Sequence, residues 1–440
     1  MSKRKEIPTK STSTPIRLEK VKSVREITEY RVSSNGLRVL FAHRPGTGVV
    51  TSNILYLVGS RDEARGETGI AHMLEHMLFK PTTFDKKRNI DSASMAFERE
   101  YGVTLNANTW KDRTTYYFSY PKEHLHQALQ IEAERIHDVI LEDKEFKPEQ
   151  TNVLSEYDMY AGDEEYSLAA DMSAAAFQSH TYGHKTIGFR EDIEAFTVGK
   201  LERFYRNFYT PRNAVLMLVG DVTEKEMRQA VVKHFGALKN SSSTISRNVP
   251  VEPKQEGRRT IEIRRPSKTN VFALGVKHEG FPSVSWFETM AIFDMLAGGT
   301  DSLFHKKLVD VGLVTRIDTT VEPTKDMNLA ILFFTLAPRV KHAKVREQIE
   351  DILRSLSKEV IAPYLTKTIA KAVTQEFVSR ENSLEYTAEL VEYASAGAWE
   401  AFFDTEKVLR GITTEDILAR IPVLFASENT TEGHFIGTMK

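Results

Sequence analysis

Cysteine is absent from this chain. That excludes disulfides and thiolate metal sites, so any metal must be held by histidine and carboxylate. The absence also suits a reducing compartment. An excess of one charge is missing too. The 59 basic and 61 acidic residues leave a formal net charge of -2, which gives no electrostatic footprint for nucleic acid or for a membrane surface. No stretch is long and apolar enough to span a bilayer. Residues 1–25 lack the apolar segment of a secretory signal. They are polar and basic (Lys3, Arg4, Lys5, Lys10, Arg17, Lys20, Lys22, Arg25), and Glu6 and Glu19 argue against a mitochondrial presequence. The expectation is a flexible tail over 1–25 on a cytoplasmic protein, with the mitochondrial matrix as the weaker alternative.

At 440 residues the chain is too long for one hydrophobic core, so two domains are the natural count. Strand signals open the first half. Glu29-Tyr30-Arg31-Val32 and Leu37-Arg38-Val39-Leu40-Phe41 flank the turn Ser34-Asn35-Gly36. A third run, 49–58, leads into an apolar helix around His72, and strands rich in Thr and aromatics follow at 104–110 and 114–120. Long helices are expected over 122–142 and 147–180, then a buried strand at 214–222. Lys239-Asn240-Ser241-Ser242-Ser243-Thr244 and Pro250, Pro253 and Gly257 have linker composition. Beyond it the order of elements returns, with a helix at 284–297, strands near 313–336 and a helix at 341–359, which suggests an internal duplication. The expected domains are 26–238 and 258–440, joined by a linker at 239–257.

His72-Met73-Leu74-Glu75-His76 carries the chemistry. Two histidines four apart lie on one helical face, one turn apart, close enough for both imidazoles to hold one metal ion. Glu75 is on the neighbouring part of that face and can meet a water at the metal without ligating it. This is the H-x-x-E-H arrangement of inverted zinc peptidases. The filling residues Met73, Leu74, Met77, Leu78 and Phe79 bury the helix, and buried histidines and a glutamate need partners, which a metal supplies. The helix at 284–297 contains no histidine, so only the first half is equipped for chemistry.

A catalytic zinc needs a third protein ligand and an open position. Glu149 and Glu156 are seven apart, two turns on one face of the helix after 147. Periodicity leaves Glu156, Asp158 and Glu145 as alternatives for that ligand. Between Pro148 and His184 there is no Lys or Arg but seven acids (Glu149, Glu156, Asp158, Asp163, Glu164, Glu165, Asp171). If that surface faced the site, it would favour basic peptides.

The chain resembles the pitrilysin and mitochondrial-processing-peptidase family of zinc peptidases. The likeness rests on G-x-A-H-x-x-E-H-M-L-F-K at 69–80, L-N-A-x-T at 105–109 with T-x-Y-Y at 114–117, V-L-x-E at 153–156, and F-Y-x-x-N-F-Y-T-P-x-N-A at 204–214. It covers most of 28–240 and, more weakly, 258–440. It implies an α+β fold of two structurally similar α/β domains, each a mostly antiparallel sheet packed against helices. It implies one Zn²⁺ held by His72, His76 and Glu156, with Glu149 supporting the site and Glu75 as the proton acceptor of a zinc endopeptidase. Asn106 and Ala107 would lie nearest the scissile bond, on an edge strand to which an extended peptide adds. The extra length between His76 and Glu156 falls in 81–100, read as a loop.

One expected motif is missing. Family members that act alone, or as homodimers, carry an Arg and a Tyr seven apart in the non-catalytic domain. Here the Arg position falls on Val309 or a gap and the Tyr position on Thr315, and neither Val nor Thr offers a cationic or phenolic donor. The resemblance therefore implies a heterodimer in which a homologous subunit without zinc supplies the Arg and Tyr. The alternatives are a homodimer in which His305, Lys306 or Arg316 substitutes, and an inactive scaffold subunit, against which intact His72, Glu75, His76 and Glu156 weigh.

Overall fold

The computed structural model describes residues 15–242 and 244–439. The first sheet has seven strands in the order β1-β2-β3-β7-β4-β6-β5. These are β1 (Leu18–Val24), β2 (Ile27–Val32), β3 (Arg38–His43), β4 (Val49–Tyr56), β5 (Thr104–Thr109), β6 (Thr114–Pro121) and β7 (Ala214–Gly220). The second has five, in the order β10-β11-β9-β12-β8. They are β8 (Arg259–Arg265), β9 (Asn270–His278), β10 (Val314–Thr320), β11 (Asn328–Leu336) and β12 (Thr430–Gly437). β3 pairs parallel with β7 and β8 pairs parallel with β12, while all other named pairs are antiparallel. Read from the parallel pair outward, β3-β7-β4-β6-β5 and β8-β12-β9-β11-β10 are the same topology. The fold is α+β, built from two similar units, and among the described residues the second sheet has no counterparts of β1 and β2.

The interleaving of the units explains why β7 reads as a continuous apolar run. Leu216 and Leu218 join a core with the His72 helix and the helix Leu125–Arg135. Val215, Met217 and Val219 face the other way and meet Tyr386, Leu390 and Val391 of the helix Ser383–Ser395, from the second half. A sheet covered on both faces needs apolar residues at every position. The exchange is reciprocal. The helix Glu164–Ala176 of the first half covers the second sheet through Leu168, Met172 and Ala176 against Val271, Ala273 and Phe435. The segment with linker composition is also pinned, because the Glu252 carboxylate accepts the backbone N–H groups of Gln178, Ser179 and His180. No described helix is long and apolar enough to cross a membrane.

Several expected elements are corrected. The tail expected over 1–25 contains β1, which pairs with β2 from Leu18 to Val24; residues 1–14 lie outside the described residues. Only Leu18 of this strand is buried. Its ladder comes from backbone hydrogen bonds, and a charged edge strand has no apolar alternation to read. The helix expected over 147–180 is two, Asp143–Gly162 and Glu164–Ala176. They break where Asp163 turns extended and its carboxylate caps the second through Tyr166 N–H, 2.7 Å. The expected loop 81–100 holds helices Thr83–Arg88 and Ala93–Tyr101, capped by Thr82 and Ser92. The Thr82-x-x-Asp85 capping box was present in the sequence as a start signal.

Candidate metal centre

The helix Ile70–Met77 follows β4, and its apolar face (Ile70, Ala71, Met73, Leu74, Met77) is buried in the first core. Its N-terminus is held by a carboxylate from outside the helix. Glu63 accepts the N–H groups of Gly69 (2.9 Å) and Ala71 (3.0 Å), and His184 Nε2 meets the same carboxylate at 3.0 Å. The chain from His184 to Gly188 lies directly against this start. A Cβ on Gly69 (φ +88°) would fall 2.3 Å from Ile187 O, and one on Gly188 (φ +85°) 2.2 Å from Thr68 O. Both positions need left-handed backbone and have no room for a side chain. Gly188→Ala is therefore expected to lower stability by ~2 kcal/mol or more and to weaken metal retention with it. The check is a denaturant midpoint read beside metal content; an unchanged midpoint would contradict the contact.

The helix Asp143–Gly162 brings the carboxylates. Its stripe Phe146, Gln150 and Val153 is buried, and Gln150 Nε2 donates to Ile193 O at 2.7 Å. Glu149 and Glu156, two turns apart beside that stripe, consequently face the histidines. Glu156 Oε2 lies 3.7 Å from His72 Nε2 and 3.6 Å from His76 Nε2, and the three residues offer donor atoms all within 4.8 Å of one another. Around a single zinc at its usual bond lengths, donors stand ~3.3 Å apart, so small movements would close the set. Glu149 Oε2 is 3.3 Å from His76 Nδ1, and its other oxygen accepts from Lys80. Of the alternatives that periodicity left open, Asp158 pairs with Arg190 and Glu145 lies 3.8 Å from Lys86.

The electrostatics suit a cation. Burial, with the neighbouring His76 adding to it, holds His72 down at about 4, in the neutral form that ligates. Burial opposes charge on His76 as well, but hydrogen bonding to Glu156 and the Glu75 charge outweigh it and raise its pKa. The hydrogen bond from His76 lowers Glu156. Two imidazoles and one carboxylate form the N,N,O set that zinc accepts. Glu75 is buried and stands beside this set. The Thr109 hydroxyl donates to its Oε2 at 2.5 Å, and burial raises its pKa above the usual carboxylate range.

With this geometry goes a match to two family models: "Insulinase (Peptidase family M16)" over residues 38–189 and "Peptidase M16 inactive domain" over 195–371. The chain belongs to peptidase family M16, the pitrilysin family. A Helicobacter pylori zinc protease, PqqE, is 28% identical over 390 residues, 87% of each chain. The crystal structure of a protease from Helicobacter pylori matches with a TM-score of 0.85 at 25% identity, covering 96% of this chain and 100% of that one. A probable mitochondrial-processing peptidase subunit beta of Arabidopsis thaliana is 29% identical over 227 residues, 51% of this chain and 42% of that one. These relatives are named as peptidases or proteases, and the second M16 model as an inactive domain.

Within this M16 chain the two sheets face one another across the site. A cavity of about 460 Å³ is lined by His72 and Glu156, by Thr109 and Trp110 at the end of β5, and by Asp318, Thr319 and Thr320 of β10. β5 is the outermost strand of its sheet. Asn106 is exposed on it and Ala107 buried. The Asn106 Oδ1 accepts the Ala107 N–H at 2.8 Å, so this side chain occupies a donor that an added strand could use. Val309 is packed in the second core and Thr315 is exposed. Neither lines the cavity, and neither do His305, Lys306 or Arg316. Glu63, His184 and Lys185 were given no role from sequence, and Thr109 entered only as the last residue of the strand motif at 105–109. His184 and Thr109 act on the His72 helix from remote segments, which no local spacing signals, whereas Glu63 lies only six residues before Gly69.

Proposed function

We propose that this chain is a zinc-dependent endopeptidase acting on extended peptides, with Glu75 as general base. The observation that carries the reading is the convergence of His72, His76 and Glu156 beside buried Glu75, where His72, Glu156 and Thr109 at the end of the edge strand β5 line a cavity. Zinc in this donor set would polarise the scissile carbonyl and lower the pKa of a water towards ~7. The Glu75 carboxylate takes the proton of the attacking water and returns it to the leaving amine. Its raised pKa lets it hold that proton between the two events, and Thr109 keeps it aimed. Glu149 orients His76 from behind. The substrate adds to β5 as a further strand after Asn106 releases the Ala107 N–H. The test is zinc content by mass spectrometry together with cleavage of a quenched peptide. Activity lost to a chelator and restored by zinc is expected; cleavage indifferent to the chelator would refute the zinc assignment.

A second subunit belongs to this proposal. The positions where a self-sufficient relative would carry Arg and Tyr hold Val309 and Thr315, away from the cavity. The Arabidopsis relative named as a beta subunit is in keeping with division of labour between chains. Adding a homologous chain that bears the Arg and Tyr should raise specific activity in a concentration-dependent way, leaving zinc occupancy unchanged. Full specific activity of the isolated chain, unaffected by dilution, would exclude the two-subunit form.

A further inference from the structure

The acids around the metal cavity suggested a preference for basic peptides, but nearly all the cavity's charges are already matched. Glu165 and Asp318 share Arg316. Glu322 accepts from Lys111 Nζ at 2.8 Å and from Asn328 Nδ2 at 2.9 Å. Asp163 is used by the Tyr166 N–H at 2.7 Å. Glu156 faces the two histidines. Lys111 completes its own set with Asn328 Oδ1 at 3.0 Å.

Lys185 differs from all of these. Lys185 lines the same cavity as His72 and Glu156. Among the described residues its ammonium has no hydrogen-bond acceptor and no ion-pair partner, and the group it meets is the Tyr166 ring, 5.1 Å from Nζ to centroid. Glu322, whose charge favours the protonated form of Lys185, is committed to Lys111. Burial, and then the Lys111 charge, bring the Lys185 pKa down to about 8, so the charged form still predominates at pH 7. The backbone that carries it is fixed, since Gly188 and Ile187 abut the start of the His72 helix and His184 pairs with Glu63. A half-buried ammonium without an acceptor carries a desolvation cost that an anionic ligand would relieve.

We infer that Lys185 is a specificity-determining substrate contact that binds a carboxylate of the peptide, either an acidic side chain near the scissile bond or the free C-terminus. The inference rests on the peptidase reading above and reverses the expected basic preference. Lys111, held by Glu322 and Asn328, buttresses the site without reaching for substrate.

The experiment uses the native assembly, zinc-loaded, with Glu75→Gln so that peptides bind without being cleaved. Fluorescence anisotropy reads three labelled ten-residue peptides: one with internal Glu and an amidated end, one neutral with a free C-terminus, and one with internal Lys and an amidated end. At least one carboxylate-bearing peptide should bind ~10-fold more tightly than the lysine peptide, and which one does so identifies the source of the carboxylate. Adding Lys185→Met should bring the affinities to within about twofold, and Lys185→Arg should keep most of the difference. Zinc content serves as the check that Lys185→Met folds. A preference for the lysine peptide, or a carboxylate preference that survives Lys185→Met with zinc intact, overturns the inference while leaving the peptidase reading in place. Binding of none of the peptides removes the peptidase reading and this contact with it.

Discussion

Glu75→Gln should leave the metal in place and reduce turnover by at least ~100-fold. The amide is nearly isosteric, and its carbonyl oxygen can still accept the Thr109 hydroxyl that now meets Oε2 at 2.5 Å. The helix is anchored by its apolar face and by Glu63 at its start, so the substitution does not move His72 or His76. What is lost is a group able to take a proton from water and return it to an amine. Kinetics on a quenched peptide with zinc analysis of the same sample tests this. Zinc falling in parallel with activity would mean that Glu75 is a ligand, and undiminished activity would remove it from the mechanism.

Glu156→Gln should act on the metal itself. Glu156 Oε2 lies opposite both Nε2 atoms, and a neutral amide is a poor substitute for an anionic ligand. Loss of ~100-fold or more in zinc affinity is expected, since even partners outside the ligand set cost 10–100-fold when removed. Glu149→Gln is the control. Glu149 faces the other nitrogen of His76 and is paired with Lys80, so its loss should weaken zinc by only ~10-fold through the orientation of His76. Competition against a chromophoric chelator separates the two. If Glu149→Gln proved the more damaging, the roles of the two acids would have to be exchanged.

The fold was legible where it depends on local pattern. The hairpin at Ser34-Asn35-Gly36, the apolar helix at 284–297 and the repeated order of strands follow from turn chemistry and periodicity, which are encoded over a few residues. Elements held by backbone ladders or caps were harder to see. β1 has one buried residue, and the end of the helix Asp143–Gly162 depends on a single capping aspartate.

For the site, the sequence alone determined that His72 and His76 could share a metal with Glu75 beside them, because four-residue spacing on a helix is sufficient for that. Choosing among Glu145, Glu156 and Asp158 took either the family resemblance or the packing, since all three lie on one helix and only its buried stripe decides which way each points. The tertiary structure alone decided that Glu63 and His184 hold the start of the His72 helix, that β10 closes the cavity opposite β5, and that Lys185 lines it with no ion-pair partner among the described residues. It also decided that the acids of 148–184 are mostly spoken for. Composition counts charges, but whether a carboxylate is available to a substrate depends on the cations and N–H groups that reach it from distant parts of the chain, such as Arg316 on Glu165 across the two halves.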